Sequence, residues 1–322
     1  MVKNIIVHHW DTDGICSAAI VARVLEKKEE SWKNCTLQIG KFEFDERVVR
    51  EINRADTVYV VDLNMPEAVE KLTQQVIFID HHIQKRIKNP NIRQINPVIS
   101  GKSEKDFPSA TWVASHHFSI WNYLSVLGAV GDVGGSIFDW PIGKKVENLL
   151  NEEEGGGISK DDAIKLVSLL DSNYIAMDRQ GVEEAVSVIL NSDPKDLLEN
   201  RKWNNNVERI GKEIEKAFSG LKVNKEKFAE IEFESDFNII SYVARKAVWE
   251  MGFDAALVVN RNFNGKSQVY LRTKGTNHNI PKIINKLKAS GFNAGGKKEV
   301  FGVVCPKNRL DEALSIIKSE IR

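Results

Sequence analysis

An excess of charge of either sign is missing from this chain: 45 Lys and Arg residues are cancelled by 45 Asp and Glu in 322 residues. Without net charge there is no global field to draw the protein onto nucleic acid or an anionic membrane. A histone-like or polybasic coating role is therefore excluded, and a phosphate-rich ligand has to be gripped by a local site. Cysteine is scarce. Cys16, Cys35 and Cys305 stand far apart, which excludes a zinc ribbon or a dithiol motif, suits a reducing compartment and predicts three small core residues. Long apolar runs are also absent. None reaches the roughly 18 to 20 residues of a membrane span, and Met1–Trp10 lacks the apolar stretch of a signal peptide, so the expected address is the cytoplasm, away from the membrane. What is present, 42% hydrophobic and 28% charged residues, suffices for two modest domains with cores of their own.

The first half alternates short β-rich runs with helical periodicity, which predicts an α/β fold with a mostly parallel sheet flanked by helices. Asn4–His8, Thr57–Val61 and Gln75–Ile79 read as strands. Helical stripes run over Gly14–Glu30, Phe42–Ala55, Glu67–Thr73 behind Pro66, and Ser109–Val126, with two more helices after the turn at Gly155–Gly157. Residues 1–190 thus form one domain, 191–225 a polar helical linker, and 226–322 a second, smaller α/β domain. In the latter, strands are expected at Phe228–Phe233, Ala255–Asn260, Gln268–Arg272 and Val300–Cys305, with a hairpin turn at Asn264-Gly265. Helices are expected at Phe237–Met251, at Pro281–Ala289 and from Leu310.

Three predicted strands end in the same chemistry: IIVHHWDTDG, VYVVDLN and VIFIDHH. The C-terminal ends of parallel strands open onto one crevice, where ligands usually bind. His8, His9, Asp11, Asp13, Asp62, Asp80, His81 and His82 should therefore converge. So many acids in one crevice are costly to bury without cations. Carboxylates with imidazole and no thiolate favour two divalent ions, Mn²⁺ first with Mg²⁺ or Co²⁺ as alternatives, over structural zinc. Such a pair clamps a phosphoryl group and activates water. A lone D-x-D would read as helix caps; three strand-end clusters in order do not. By contrast, His116-His117 lies in a helical stretch with no acids nearby and reads as structural.

At these residues the sequence resembles the DHH phosphoesterases, named for the triplet seen here as Asp80-His81-His82. The likeness extends to the nanoRNA-degrading and RecJ-like branch, of archaeal type. His9-Trp10-Asp11-Thr12-Asp13-Gly14 matches the family's first motif, Asp62 its second and Asp80 to His82 its third, while GAVGDVGG nominates Asp132 for the fourth. The resemblance implies that His9, Asp11 and Asp62 hold one metal and Asp13, Asp62, His81 and Asp132 the other, with Asp62 as the bridge. His8 is the alternative to His9. Asp80 would orient an imidazole or water, and His82 would face the scissile phosphate. The second half resembles the family's associated C-terminal domain, although Lys297 stands where a His usually follows the glycine cluster. Arg272, Gly295, Gly296 and Lys297 are the implied substrate contacts, with His278 on a loop as a further candidate.

The resemblance leads to a two-metal phosphodiesterase that trims short single-stranded RNA or DNA, or opens a cyclic dinucleotide. Electrostatic neutrality favours short substrates, because long duplexes are held by many cationic contacts. A homodimer is compatible with this reading. Two rivals are a phosphatase of 3′-phosphoadenosine 5′-phosphate or an inorganic pyrophosphatase, and a non-catalytic nucleotide-binding scaffold.

Overall fold

Apolar β-branched runs flanked by amphipathic stretches build the first of two units in the computed structural model, which describes residues 3–151, 156–223, 227–275 and 278–321. This unit comprises Met1–Tyr174 with Asp178–Asn206; the second comprises Ile175–Met177 with Val207–Arg322. The division falls inside the helix Arg201–Ala217, so residues 191–223 are shared between the units. Gly155, part of the expected turn, lies outside the described residues.

In unit 1, β1 (Asn4–His8), β2 (Trp32–Thr36), β3 (Thr57–Val61), β4 (Gln75–Ile79) and β5 (Ile92–Ile95) form a wholly parallel sheet in the order β2-β1-β3-β4-β5. The central strands are continuous apolar runs because helices cover both faces, as parallel sheets require. The two edge strands escape the sequence reading, since Lys33, Asn34, Arg93 and Gln94 break their apolar pattern. Helix α1 (Thr12–Lys27) follows β1 and is almost wholly buried. Helix α2 starts only at Glu46 and runs to Ile52, because the Asp45 side chain caps it at Arg47 N and Val48 N, leaving the preceding residues as a loop. The expected helix over Ser109–Val126 is two helices, Ala110–Phe118 and Tyr123–Val133. Ser119 in the left-handed region ends the first, and an Asn122–Ser125 capping box starts the second. Cys16 and Cys35 are free and buried, as is Cys305 of unit 2.

Unit 2 holds a six-stranded sheet, antiparallel except for one parallel pair. Its strands are β6 (Leu221–Val223), β7 (Phe228–Phe233), β8 (Ala255–Phe263), β9 (Lys266–Thr273), β10 (Asn293–Lys297) and β11 (Val300–Pro306), ordered β10-β11-β9-β8-β7-β6. Asn264 and Gly265 join β8 to β9 with positive φ at both positions, the two-residue turn whose twist suits a hairpin. Helices Ile280–Ala289 and Leu310–Glu320 cover one face over Leu257, Leu271, Phe301 and Val303. The expected helix Phe237–Met251 is shorter, Ile240–Arg245 continued by one π-helical turn over Lys246–Glu250. The glycine-rich run, not among the expected strands, supplies strand β10.

Candidate metal centre

The histidines and acids that follow β1, β3 and β4 meet at the C-terminal ends of these strands. After β1 the chain turns through His9-Trp10-Asp11, and the Asp11 carboxylate caps α1 by accepting from Gly14 N at 3.1 Å. Gly14 is required there, since a Cβ would lie 2.4 Å from His9 O. Beyond β3, Asp62 adopts φ +57°, a left-handed conformation that Asp tolerates better than most residues at a cost of about 1 kcal/mol. Its amide donates to Ile79 O at 3.0 Å, which fixes the side chain over the crevice. Beyond β4, fully buried Asp80 accepts from His81 N, His82 N and His82 Nδ1 at 2.7, 3.2 and 2.8 Å. This leaves His82 Nε2 as the ring nitrogen free to meet a ligand.

Two clusters share Asp62. His9 Nδ1 lies 2.8 Å from Asp11 Oδ2 and 3.7 Å from Asp62 Oδ2. His81 Nε2 lies 2.9 Å from Asp132 Oδ2 and 3.8 Å from Asp62 Oδ1. Asp13 joins His81 and Asp132 within 4.8 Å. Asp13 is held at the start of helix Ala110–Phe118, where its Oδ2 accepts from Ala110 N at 2.6 Å and its Oδ1 from Thr111 N at 2.8 Å. Gly128 permits this arrangement, because a Cβ there would sit 2.6 Å from Asp13 Oδ1. His9, Asp11, Asp62, His82 and Asp132 line a cleft of about 390 Å³ together with Phe42 and Asn64.

Burial and crowding set Asp62 and Asp13 against ionisation. Burial, reinforced by Asp13, Asp11, Asp132 and Asp80, pushes Asp62 well above the usual carboxylate range. Burial and the neighbouring Asp132 carry Asp13 to about 6. Burial opposes charge on His81 as well, but the Asp132 hydrogen-bonding contact and the Asp13 charge outweigh it and raise the imidazole to about 9. Likewise, the His9 charge outweighs burial at Asp11 and draws it down to about 2. His81 Nε2 is buried with no hydrogen bond of good geometry. An all oxygen and imidazole donor set, an orphaned ring nitrogen and mutually repelling acids fit a pair of divalent cations. His8 is placed differently. Wholly buried, its Nδ1–H donates to His9 O at 2.7 Å while Nε2 accepts from Asn34 Nδ2 at 3.1 Å. With both nitrogens engaged in the neutral tautomer, and burial lowering it to about 4, His8 is a core residue with no lone pair left for a metal.

The sequence reading misses several residues at this site. Asp171 accepts from Thr12 N at 2.9 Å and Thr12 Oγ1 at 2.7 Å, clamping the first residue of α1 between Asp11 and Asp13. Burial, with Asp11 nearby, raises it to about 7. An acid directly after the largely apolar stretch Leu166 to Leu170 was its available signal. Thr111 donates its hydroxyl to Asp13 O at 2.9 Å, and the Ser109 cap marks that helix start in the sequence.

On unit 2, Arg272, Val300 and Lys297 stand in one row across β9, β11 and β10, and Tyr270, Gly302 and Gly295 in the next. The Arg272 guanidinium lies 4.6 Å from the Trp249 ring, its Nε buried without a hydrogen bond. Gly295 and Lys297 are exposed. Gly296 is exposed too, but a Cβ there would meet Val300 O at 2.1 Å, so the close approach of β11 backbone alone demands glycine. His278 is half-buried, edge-on to Phe228 at 6.2 Å.

Residues 3–127 match the family model described as "DHH family, N-terminal domain". An uncharacterized protein of Methanocaldococcus jannaschii is 28% identical over 140 residues, covering 41% of this chain and 32% of that protein. The chain thus matches about a third of this curated relative's length. Among solved structures, RecJ in complex with Mn²⁺ from Thermus thermophilus superposes with a TM-score of 0.70 at 16% identity, covering 99% of this chain and 52% of that one. A pGpG-specific phosphodiesterase from Vibrio cholerae gives 0.54 at 12% identity, covering 99% and 98%. These likenesses establish a shared fold. Taken with the three strand-end motifs that the matched segment contains, they mean that residues 3–127 carry a DHH-family N-terminal domain.

Proposed function

We propose that the protein is a divalent-metal-dependent phosphodiesterase that hydrolyses short single-stranded oligonucleotides or cyclic dinucleotides. The observation that carries this reading is the pair of donor clusters, His9–Asp11–Asp62 and Asp13–His81–Asp132, joined at Asp62 on three adjacent strand ends. Bound there, two Mn²⁺ ions would supply charge neutralisation for the phosphoryl oxygens and lower the pKa of the attacking water. The chain's own residues do the remaining work. Asp13 and Asp11 are pre-oriented by backbone amides, so their oxygens reorganise little. Asp80 holds the His82 ring so that Nε2 faces the cleft, in position to meet a phosphoryl oxygen. Arg272, Gly295 and Lys297 are the proposed phosphate contacts of unit 2, and His278 a further one. Similarity to RecJ with Mn²⁺ and to a pGpG-specific phosphodiesterase supports the choice of metal and of a small nucleotide substrate.

The test is a matched substrate series in Mn²⁺: dinucleotides, five-nucleotide RNA and DNA, cyclic di-AMP, 3′-phosphoadenosine 5′-phosphate and pyrophosphate. Turnover of the first three classes that disappears in Asp62→Asn supports the reading. Fast turnover of pyrophosphate or of the bisphosphate nucleoside with inert oligonucleotides overturns it, and a protein that binds no Mn²⁺ and turns over nothing is a scaffold.

A further inference from the structure

Among the side chains that line the unit 1 cleft, Phe42 alone is a hydrocarbon; the others are His9, Asp11, Asp62, Asn64, His82 and Asp132. It is also 59% exposed, an unusual state for a Phe inside a pocket. The surrounding chain is built to hold it there. Gln38 to Lys41 form a turn closed by Lys41 N donating to Gln38 O at 2.9 Å, with Gly40 at φ +81° supplying the positive angle that the third position of such a turn needs. Ile39 is buried and anchors the turn. On the far side, Asp45 caps α2 and pairs with Arg179 Nη2 at 2.7 Å. Between these anchors Phe42 lies nearly parallel to the His9 ring, at 22° with centroids 5.7 Å apart, and rests on buried Trp10 at 5.1 Å.

We propose that Phe42 is a base-stacking platform: the nucleobase attached to a phosphate held at the His9–Asp11–Asp62 cluster lies on its open surface, backed by His9 and Trp10. This rests on the phosphodiesterase reading above and deepens it by assigning the subsite that separates a nucleotide from a bare phosphate. A site built for pyrophosphate has no use for an exposed aromatic ring beside its carboxylates. Every base has a π-face, so the platform would favour nucleotides over sugar phosphates without reading sequence.

The test compares AMP with ribose 5-phosphate, which shares the phosphate and sugar but lacks the base, by calorimetric titration of the full chain in Mn²⁺. Wild type is expected to bind AMP roughly tenfold more tightly. Phe42→Ala should bring the AMP affinity down to that of ribose 5-phosphate and leave the latter unchanged, while Phe42→Trp should restore the difference. Because Phe42 is exposed, the alanine variant is expected to fold, which its melting temperature checks. If wild type binds both ligands equally, or if Phe42→Ala keeps the tenfold preference, the platform is wrong while the phosphate site stands. If Mn²⁺ binds but neither ligand does, the phosphodiesterase reading fails and this subsite falls with it.

Discussion

The innermost acids of the unit 1 centre, Asp13, Asp62 and Asp80, are buried, whereas Gly295 and Lys297, candidate contacts of unit 2, are exposed on a sheet strand. Asp13, Asp62 and Asp80 are each at most 3% exposed; Asp13 accepts from the Ala110 and Thr111 amides, Asp80 from those of His81 and His82, and the Asp62 amide donates to Ile79 O. Lys297 and Gly295 are exposed on strand β10. The first arrangement stores electrostatic tension that bound cations relieve. The second stores none, and so can be altered without disturbing the fold. Chemistry should therefore be concentrated in unit 1 and modest, additive binding in unit 2.

The largest effect that sharpens this contrast is at the shared carboxylate. Asp62→Asn keeps the shape but removes the charge common to both clusters, and turnover should fall on the order of 10³-fold or more. Calorimetry should show fewer than two Mn²⁺ per chain. Retention of two ions with near-normal turnover would break the assignment of Asp62 as the bridge.

Metal-free unit 1 should also report its tension through pH. His81, ordinarily 6.5, is raised to about 9 in the fold. A raised imidazole stabilises the folded state fully below about 6.5, and that contribution, at most about 3 kcal/mol, is lost as pH rises through 9. With a chelator present, the melting temperature should drop between pH 7 and 9, and His81→Gln should flatten the drop. With Mn²⁺ the dependence should disappear or invert, because a ligating imidazole is neutral. A chelated wild type with no pH response in this window would show that Asp132 and Asp13 do not hold the proton on His81.

Smaller again is Asp171, which reaches the centre only through Thr12. Asp171→Asn should lower Mn²⁺ affinity or turnover by about 10- to 100-fold, the usual range for groups that orient metal ligands. Thr12→Val, which removes the hydroxyl contact alone, should give a fraction of that loss. A melting-temperature drop without any change in Mn²⁺ affinity would mark Asp171 as structural only.

How much of this was legible in the sequence follows from the same contrast. Strand-end acids advertise themselves because β1, β3 and β4 are apolar runs that stop abruptly at His8, Val61 and Ile79. Their convergence follows from parallel topology. Asp171 was harder to see, since its partner is a backbone amide 159 residues away. The doubled histidine could not be resolved from spacing either. Only the hydrogen bonds to His9 O and Asn34 distinguish the core imidazole of His8 from its neighbour. In unit 2 the glycine run gave no strand expectation, because glycine carries no strand signal of its own. It forms β10 through pairing with the apolar β11, a tertiary effect that local propensity does not contain.

The two glycines of that strand allow the finest test of the comparison. Gly296 is required by packing, so Gly296→Ala would destabilise unit 2 whatever it binds. At Gly295 an added Cβ meets nothing within 4 Å, and Gly295→Ala should leave the melting temperature unchanged. If phosphate approaches this backbone closely, Gly295→Ala should raise KM for a five-nucleotide substrate several-fold at constant kcat. Lys297→Ala should do the same, and should reduce the slope of log KM against log salt concentration by about 0.7, the value for one single-strand phosphate contact. Loss of kcat comparable to that in Asp62→Asn would mean that unit 2 takes part in the chemical step, and the division of labour drawn above would not hold. Unchanged KM in both variants would instead move the distal grip elsewhere on the sheet face, to the Arg272 and Trp249 pair, whose guanidinium Nε is already buried without a partner.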